Sequence, residues 1–401
     1  MRDAFLPFSP PLIRQEEIAE VMDTLRSAWI TTGPKVKRFE QEFATFVHAP
    51  AGLALSSGTA ALHVALAALE IGSGDGVIST PMTFCSSIHV IEHVGALPVL
   101  VDVQPDTLNI DPRKVEEVLA RRGRSAEGKR AVRAILPVHL YGHPCNMDEI
   151  LRLASSYDLA VVEDAAHALP AGYKGRMIGS PVGGGFRGAL LTAFSFYATK
   201  NLTTAEGGML TGPPELIDEA RIWSLHGMSR DAWKRYSSEG SWFYEVIRPG
   251  FKYNMTDLQA AIGLCQLRRL PEMQERRKQI FEAYTAALGG LPEIQVPTVR
   301  PEVDHAWHLY VIRLHLDRMT INRSRFIEEM KARNIATSVH FIPVHLHPYY
   351  RDKYGYEPED FPVAYREYQR IVSLPLYPRM TDDDVQDVIE AVRDVVAKFR
   401  R

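Results

Sequence analysis

The sequence predicts an α/β protein, with a large part built on a mostly parallel sheet and a smaller α/β part at the C-terminal end. Three observations predict it. Between about residues 50 and 265, short apolar runs alternate with amphipathic stretches, the pattern of strands joined by crossover helices. The runs are rich in Val, Ile and Leu, as expected of strands buried on both faces. After Gly289-Gly290-Leu291-Pro292 the composition shifts to alternating strands and short helices. At 401 residues the chain exceeds what one simple core serves. The expected division is an N-terminal segment 1–30, a large domain 31–270 and a small C-terminal domain 271–401.

Taken in order, strands are expected at Gly76–Thr80, Leu97–Val103, Arg133–His139, Leu159–Asp164 and Leu190–Phe196. Between them lie helices such as Ala60–Glu70, whose Leu62, Ala65, Leu66 and Leu69 fall on one face. The stretch Gly227 to Gly250, with Trp233, Trp242, Phe243 and Tyr244, breaks the pattern. It reads either as a loop or hairpin over a site or as a surface insertion. Asp257 to Leu288 reads as one or two helices, with Pro271 opening or kinking the second. Trp307–His315 and Arg325–Asn334 belong to the C-terminal alternation.

Composition removes several function classes. The net charge is −3, and no basic tail or Lys/Arg run points to nucleic acid. Met1-Arg2-Asp3-Ala4-Phe5-Leu6-Pro7 carries an early acid and no long apolar core, so no signal peptide is expected. No stretch has the apolar length of a membrane span, and a cytoplasmic location is expected. Cys85, Cys145 and Cys265 are too few and scattered for a disulfide framework or a zinc site. His139 and His143 have i, i+4 spacing, but His139 ends a strand and Pro144 follows His143, so helical geometry fails. No metal is expected there or at His340, His345 and His347. Gly72-Ser73-Gly74-Asp75-Gly76 follows a helix and has the wrong spacing for a dinucleotide fingerprint. It is a turn.

Three features at strand ends carry chemistry, because ligands of open α/β sheets sit outside the carboxyl ends of strands. Ser57-Gly58-Thr59 leads straight into a helix, an arrangement that suits either a phosphate or an ordinary N-cap. The strand Leu159–Val162 ends in Glu163-Asp164-Ala165-Ala166-His167, where Asp164 is either a helix cap or a carboxylate holding a ring nitrogen protonated. Ser195-Phe196-Tyr197-Ala198-Thr199-Lys200 closes another buried strand, before Gly207-Gly208. A lysine so placed suits Schiff-base chemistry, since desolvation and nearby cations free its amine.

With these motifs in place, the chain resembles the DegT/DnrJ/EryC1/StrS sugar aminotransferases, a branch of the fold-type I (aspartate aminotransferase-like) enzymes. The resemblance runs from Trp29-Ile30-Thr31-Thr32-Gly33-Pro34-Lys35 to Ser373-Leu374-Pro375-Leu376-Tyr377-Pro378. It includes Pro137-Val138-His139-Leu140-Tyr141-Gly142 and Tyr253-Asn254-Met255-Thr256-Asp257. It implies pyridoxal 5'-phosphate (PLP) as cofactor, with Lys200 as the cofactor lysine and Asp164 facing the ring nitrogen. Gly58, Thr59 and Ser195 match phosphate positions, and Phe84 matches an aromatic stacked on the ring. His167 is ring-proximal where many members have glutamine. Asn254 matches an asparagine reaching the neighbouring subunit's phosphate, which implies a homodimer with shared sites.

The resemblance also implies a nucleotide-linked keto sugar as amino acceptor and L-glutamate as donor. Gly250-Phe251-Lys252-Tyr253-Asn254 is similar to the aminoarabinose branch, whose substrate is a UDP-linked 4-keto sugar. Thr32, His345 and His347 are candidate substrate contacts by their family segments. His226, Arg230 and Lys252 are placed either to neutralise a diphosphate or simply on the surface. Alternatives are a sugar dehydratase, an aminocyclitol or aromatic amino acid synthase, and a non-catalytic PLP-binding regulator. The dehydratases carry histidine where Lys200 stands.

Overall fold

The computed structural model describes residues 2–122, 131–183, 186, 188–229 and 243–401. In chain order the strands begin with β1 (Ala51–Leu55), β2 (Asp75–Ser79), β3 (Leu97–Leu100), β4 (Ala131–Ile135) and β5 (Ala160–Asp164). A short pair follows, β6 (Gly172–Tyr173) and β7 (Arg176–Met177), then β8 (Leu190–Ser195) and β9 (Gly208–Gly212). Seven of these form one sheet, ordered β1-β9-β8-β5-β4-β2-β3.

The five expected strands are β2, β3, β4, β5 and β8; β2 and β4 begin and end earlier than expected, and the other three are shorter. Beyond Ile135, Pro137 has no N–H for the ladder and only Val138 regains a bridge, to Asp164. Their mutual pairings are parallel, as expected. β1 and β9 were not anticipated, and β9 runs antiparallel to both β8 and β1. Ala51-Gly52-Leu53-Ala54-Leu55 contains no β-branched residue, and Gly208 and Gly212 bound β9, so both lack the usual strand signature.

Strand alternation divides the residues between two cores. Ala54, Ile78, Ile135 and Val161 enter one. Leu53, Leu55, Val77, Ala134 and Val162 enter the other. On the first face lies helix α2 (Pro34–Phe46), with Phe39 and Phe43 fully buried, while α1 (Gln15–Arg26) packs against the long helix Asp257–Leu288. The second face holds α3 (Gly58–Ala68) and α4 (Ser86–His93). α5 (Pro112–Arg122) and α6 (Met147–Tyr157) return to the first face, and α7 (Pro214–Ser224) packs against α3. The expected one-faced helix is wrong for α3, which is buried from Ala60 through Ala68. It lies between the sheet, α4 and α7, so every side needs an apolar residue.

α8 (Asp257–Leu288) is a single helix that keeps Pro271 in its interior, so no second helix starts there. Thr256 and Gln259 close its N-terminus as a capping box. Position 271 therefore falls inside a continuous element. The remaining strands are β10 (Ile294–Gln295), β11 (Val303–Asp304), β12 (Tyr310–Leu314) and β13 (Ile371–Leu374). β10, β12 and β13 form a three-stranded antiparallel sheet, and β11 joins β6 and β7. α9 (Arg323–Ala332), α10 (Pro348–Tyr354), α11 (Pro362–Tyr368) and α12 (Asp382–Phe399) complete the chain. A third core joins β12, α12 and the distal end of α8 through Tyr284, Tyr310 and Val392.

The N-terminal residues reach this third core. Leu6 bridges Ile335, donating to the Asn334 carbonyl at 2.8 Å and accepting from Ala336 N–H at 3.0 Å.

Candidate active site

Register places the three sequence features on one edge of the large sheet. Parallel pairing puts Asp164, the last residue of β5, opposite Ala193 of β8. Ser195 pairs with Gly208, and Gly208 pairs on its other side with Leu55. The two antiparallel steps through β9 restore the direction of β1, so its carboxyl end lies beside those of β5 and β8. Residues following all three strands then converge on a cavity of about 530 Å³.

Gly58, Thr59, Phe84, Asp164, His167, Ser195 and Lys200 all line it. Ser57 caps α3, accepting from the Ala60 N–H at 3.0 Å, which leaves the first N–H groups of the helix directed at the cavity end. A side chain on Gly58 would place its Cβ 2.8 Å from that of Ser195. Only glycine lets the helix start press this closely on the strand.

Asp164 is 5 % exposed and firmly held. Its Oδ2 accepts from Ser87 Oγ at 2.6 Å and its Oδ1 from Ala166 N–H at 3.1 Å. Because the Ser87 proton goes to the carboxylate, Thr83 supplies the proton of the 2.8 Å Thr83–Ser87 contact. Lys200 sits in a turn that returns its N–H to the Tyr197 carbonyl at 2.9 Å. Burial pushes its ammonium down to about 8, against the pull of the Asp164 carboxylate. The amine is thus neutral above about pH 8 rather than only above the usual lysine range. In cofactor-free protein, labelling of Lys200 by pyridoxal phosphate, fixed with borohydride, is expected to rise with pH through a midpoint near 8 and to level off about one pH unit above it. A rate still climbing steeply through pH 10 would show an unshifted lysine.

His167 is buried, and the Tyr141 N–H donates to its Nδ1 at 3.3 Å. Burial, then the charge of Lys200, holds it well below the ordinary histidine range. Further residues on the cavity escaped sequence reading: Phe8, Ser9, Glu206, His308, His340 and Phe341. His340 Nδ1 and Ser373 Oγ share a 2.8 Å hydrogen bond, and the His340 ring lies stacked on Phe8 with ring centroids 5.4 Å apart. No local signal marks them, since Phe8 and His340 meet only through the Leu6–Ile335 bridge.

The remaining candidates among the described residues do not line the cavity. His345 is 1 % exposed and faces Phe361, because the turn Val344–Leu346 carries it away from the site. In that histidine cluster the cavity residue is His340, not His345 or His347; His347 instead caps α10. His226 is exposed, with its N–H on the Phe251 carbonyl at 2.7 Å. Asn254 donates to Thr32 Oγ1 at 2.7 Å and accepts from Lys252, and Thr32 donates to the Met255 carbonyl at 2.5 Å. Arg230, Trp233 and Trp242 lie outside the described residues. Among the described residues no cluster of metal-binding side chains occurs and no helix is long and apolar enough to cross a membrane.

A lysine poised to be neutral, a buried carboxylate and a helix start pressed against a serine fit the aldehyde, ring nitrogen and phosphate of one molecule, pyridoxal phosphate. Fold and site together define a fold-type I PLP-dependent aminotransferase. Residues 11–393 match the profile of the DegT/DnrJ/EryC1/StrS aminotransferase family, and the chain belongs to that family. It is 53 % identical over 397 residues to the spore coat polysaccharide biosynthesis protein SpsC of Bacillus subtilis, covering 98 % of each chain. It is 51 % identical over 401 residues, the whole of both chains, to the uncharacterized protein MJ1066 of Methanocaldococcus jannaschii. The PLP-form of Spr1654 from Streptococcus pneumoniae superposes with a TM-score of 0.86 at 35 % identity, covering 98 % of this chain and 99 % of that one.

Proposed function

We propose that the protein moves an amino group from L-glutamate to the C4 keto group of a UDP-linked sugar, in the making of a cell-surface polysaccharide. The observation that carries this reading is the shared cavity of Lys200, Asp164 and the Gly58–Thr59 helix start. The name of SpsC supports a polysaccharide product. The sequence Gly250–Asn254 supports the UDP-linked 4-keto class.

Pyridoxal phosphate, when bound, supplies an aldehyde carbon and a ring that takes up the electron pair of the substrate carbon. Lys200 Nζ binds that aldehyde in the resting enzyme. With the donor amine in its place on the aldehyde carbon, Nζ would take the proton from the donor's α-carbon and deliver it to that former aldehyde carbon, on the far side of the nitrogen. Asp164 keeps the ring nitrogen protonated, and Ser87 and the Ala166 N–H keep Asp164 ionised and aimed. Gly58, Thr59 and Ser195 would hold the phosphate, and Phe84 and His167, on the same cavity, would pack against the ring. His226 and Lys252, which lie outside the cavity, would meet a diphosphate that extends beyond it.

The working unit in this reading is a homodimer in which Asn254 reaches the phosphate of the neighbouring chain. Support comes from an exposed apolar strip on α1, Ile18, Met22 and Leu25, continuing into Trp29 and Ile30. Spacing of i, i+4 and i+7 puts the three helical residues on one face, and such a patch marks a partner surface. The strip runs directly into Thr32, the hydrogen-bond partner of Asn254.

The test is optical. Enzyme loaded with pyridoxal phosphate should be yellow, bleach with L-glutamate and regain colour with a UDP-linked 4-keto sugar. Colour that ignores glutamate and every other amino donor would overturn the reading. Gly58→Ala, which drives a methyl into Ser195, is expected to weaken cofactor affinity at least roughly tenfold and to cost about 1–3 kcal/mol of stability. Equilibrium dialysis and denaturant melts check both.

A further inference from the structure

One imidazole in the cavity has no part in the steps above. His308 lines the cavity, is 3 % exposed, and contacts the His167 ring with centroids 4.5 Å apart. Its Nδ1 lies 2.9 Å from Oδ1 of Asn201. The amide nitrogen of Asn201 is committed elsewhere, donating to the Leu169 carbonyl at 2.9 Å and the Ala306 carbonyl at 2.6 Å. Turning that amide over would set its oxygen against two carbonyl oxygens, so its orientation is fixed. An amide oxygen only accepts, so the His308 proton sits on Nδ1. Nε2 is left with a bare lone pair.

His167 has the opposite arrangement. The Tyr141 N–H occupies its Nδ1, which leaves the proton on Nε2. The touching rings are therefore not equivalent: one has a donor left over and the other an acceptor. Both are held neutral, His308 by burial first and then by His167, Lys200 and Arg277. A neutral acceptor nitrogen facing the cavity takes a partner with a proton to give.

The two substrates differ in this respect. The carboxylates of glutamate only accept, and its one donor, the amine, is taken up at the cofactor aldehyde, so glutamate cannot satisfy Nε2, whereas sugar hydroxyls can donate. Asn201 follows Lys200 directly in the chain, so the acceptor is anchored to the turn that carries the reacting amine. We infer that His308 is a specificity-determining residue for the amino acceptor, its Nε2 accepting the hydrogen bond of the hydroxyl on the carbon next to the keto carbon. This rests on the sugar aminotransferase reading and deepens it. A keto sugar lacking that hydroxyl leaves Nε2 buried and unpaired, the situation in which polar sites reject an analogue.

The test uses PLP-loaded enzyme, which can bind a keto sugar without turning it over. Calorimetric titration compares UDP-4-keto-6-deoxyglucose with its 3-deoxy analogue. Wild type is expected to bind the analogue roughly tenfold more weakly, and His308→Phe to bind both alike. A second readout needs no variant: in 15N spectra of histidine-labelled wild type, an unprotonated Nε2 signal should shift with the hydroxylated sugar and not with the analogue. Equal binding of the two sugars by wild type overturns the inference. So does a preference that survives in His308→Phe, or the absence of such an Nε2 signal. Wild type whose colour ignores amino donors fails the aminotransferase reading itself, a different outcome seen before any sugar is added.

Discussion

Replacing Lys200 with alanine is expected to lower turnover by on the order of 10⁴-fold or more while leaving cofactor binding partly intact. Two duties meet on Nζ in the proposed mechanism, holding the aldehyde in the resting enzyme and carrying the proton between the two carbons that flank the transferred nitrogen. No neighbouring group can assume both. Asp164 already accepts from Ser87 and Ala166, and His167 and His308 have one ring nitrogen each committed to Tyr141 and Asn201. The phosphate end depends on Gly58, Thr59 and Ser195, which the substitution does not touch. The measurement is keto-acid release from glutamate, alongside dialysis for bound cofactor. Robust turnover in Lys200→Ala would overturn the assignment of the lysine.

Asp164→Asn is expected to reduce the glutamate half-reaction by about 10²- to 10³-fold. Asparagine keeps the shape and can still accept from Ser87, but it carries no charge to hold a ring nitrogen protonated. Burial sharpens the loss, because the carboxylate is 5 % exposed and water cannot replace it. The colour of the loaded variant should persist, since Lys200 is intact, so the defect appears in the rate of bleaching after glutamate. Bleaching at more than about half the wild-type rate would remove Asp164 from its proposed role.

Much of this site was readable in the sequence because its chemistry sits at ends of strongly patterned strands. Val161-Val162 and Leu190-Leu191 announce buried strands, and Asp164 and Lys200 follow them closely. Chain direction alone then puts both on the ligand edge of a parallel sheet. The failures have physical causes too. β1 and β9 are built from Ala, Gly, Leu, Met and Thr and are buried on both faces, so neither propensity nor alternation exposed them. Pro271 looked like a break, yet packing on both sides of α8 keeps one helix running through it. His308 was visible only as part of an apolar run, because its role depends on Asn201, far away in sequence. His345 was a candidate by the resemblance of its segment, and such a resemblance does not show which way a turn sends its side chains.

The pairing of β1 with β9 also bears on how the protein is made. Ala51 joins Gly212, and the same ladder brings Gly58 against Ser195. A polypeptide emerging from the ribosome therefore has no completed phosphate cradle until β9 has been synthesised and threaded between β1 and β8. Contacts so distant along the chain form slowly. Cofactor capture then belongs to the late stages of folding, after the parallel strands have already assembled.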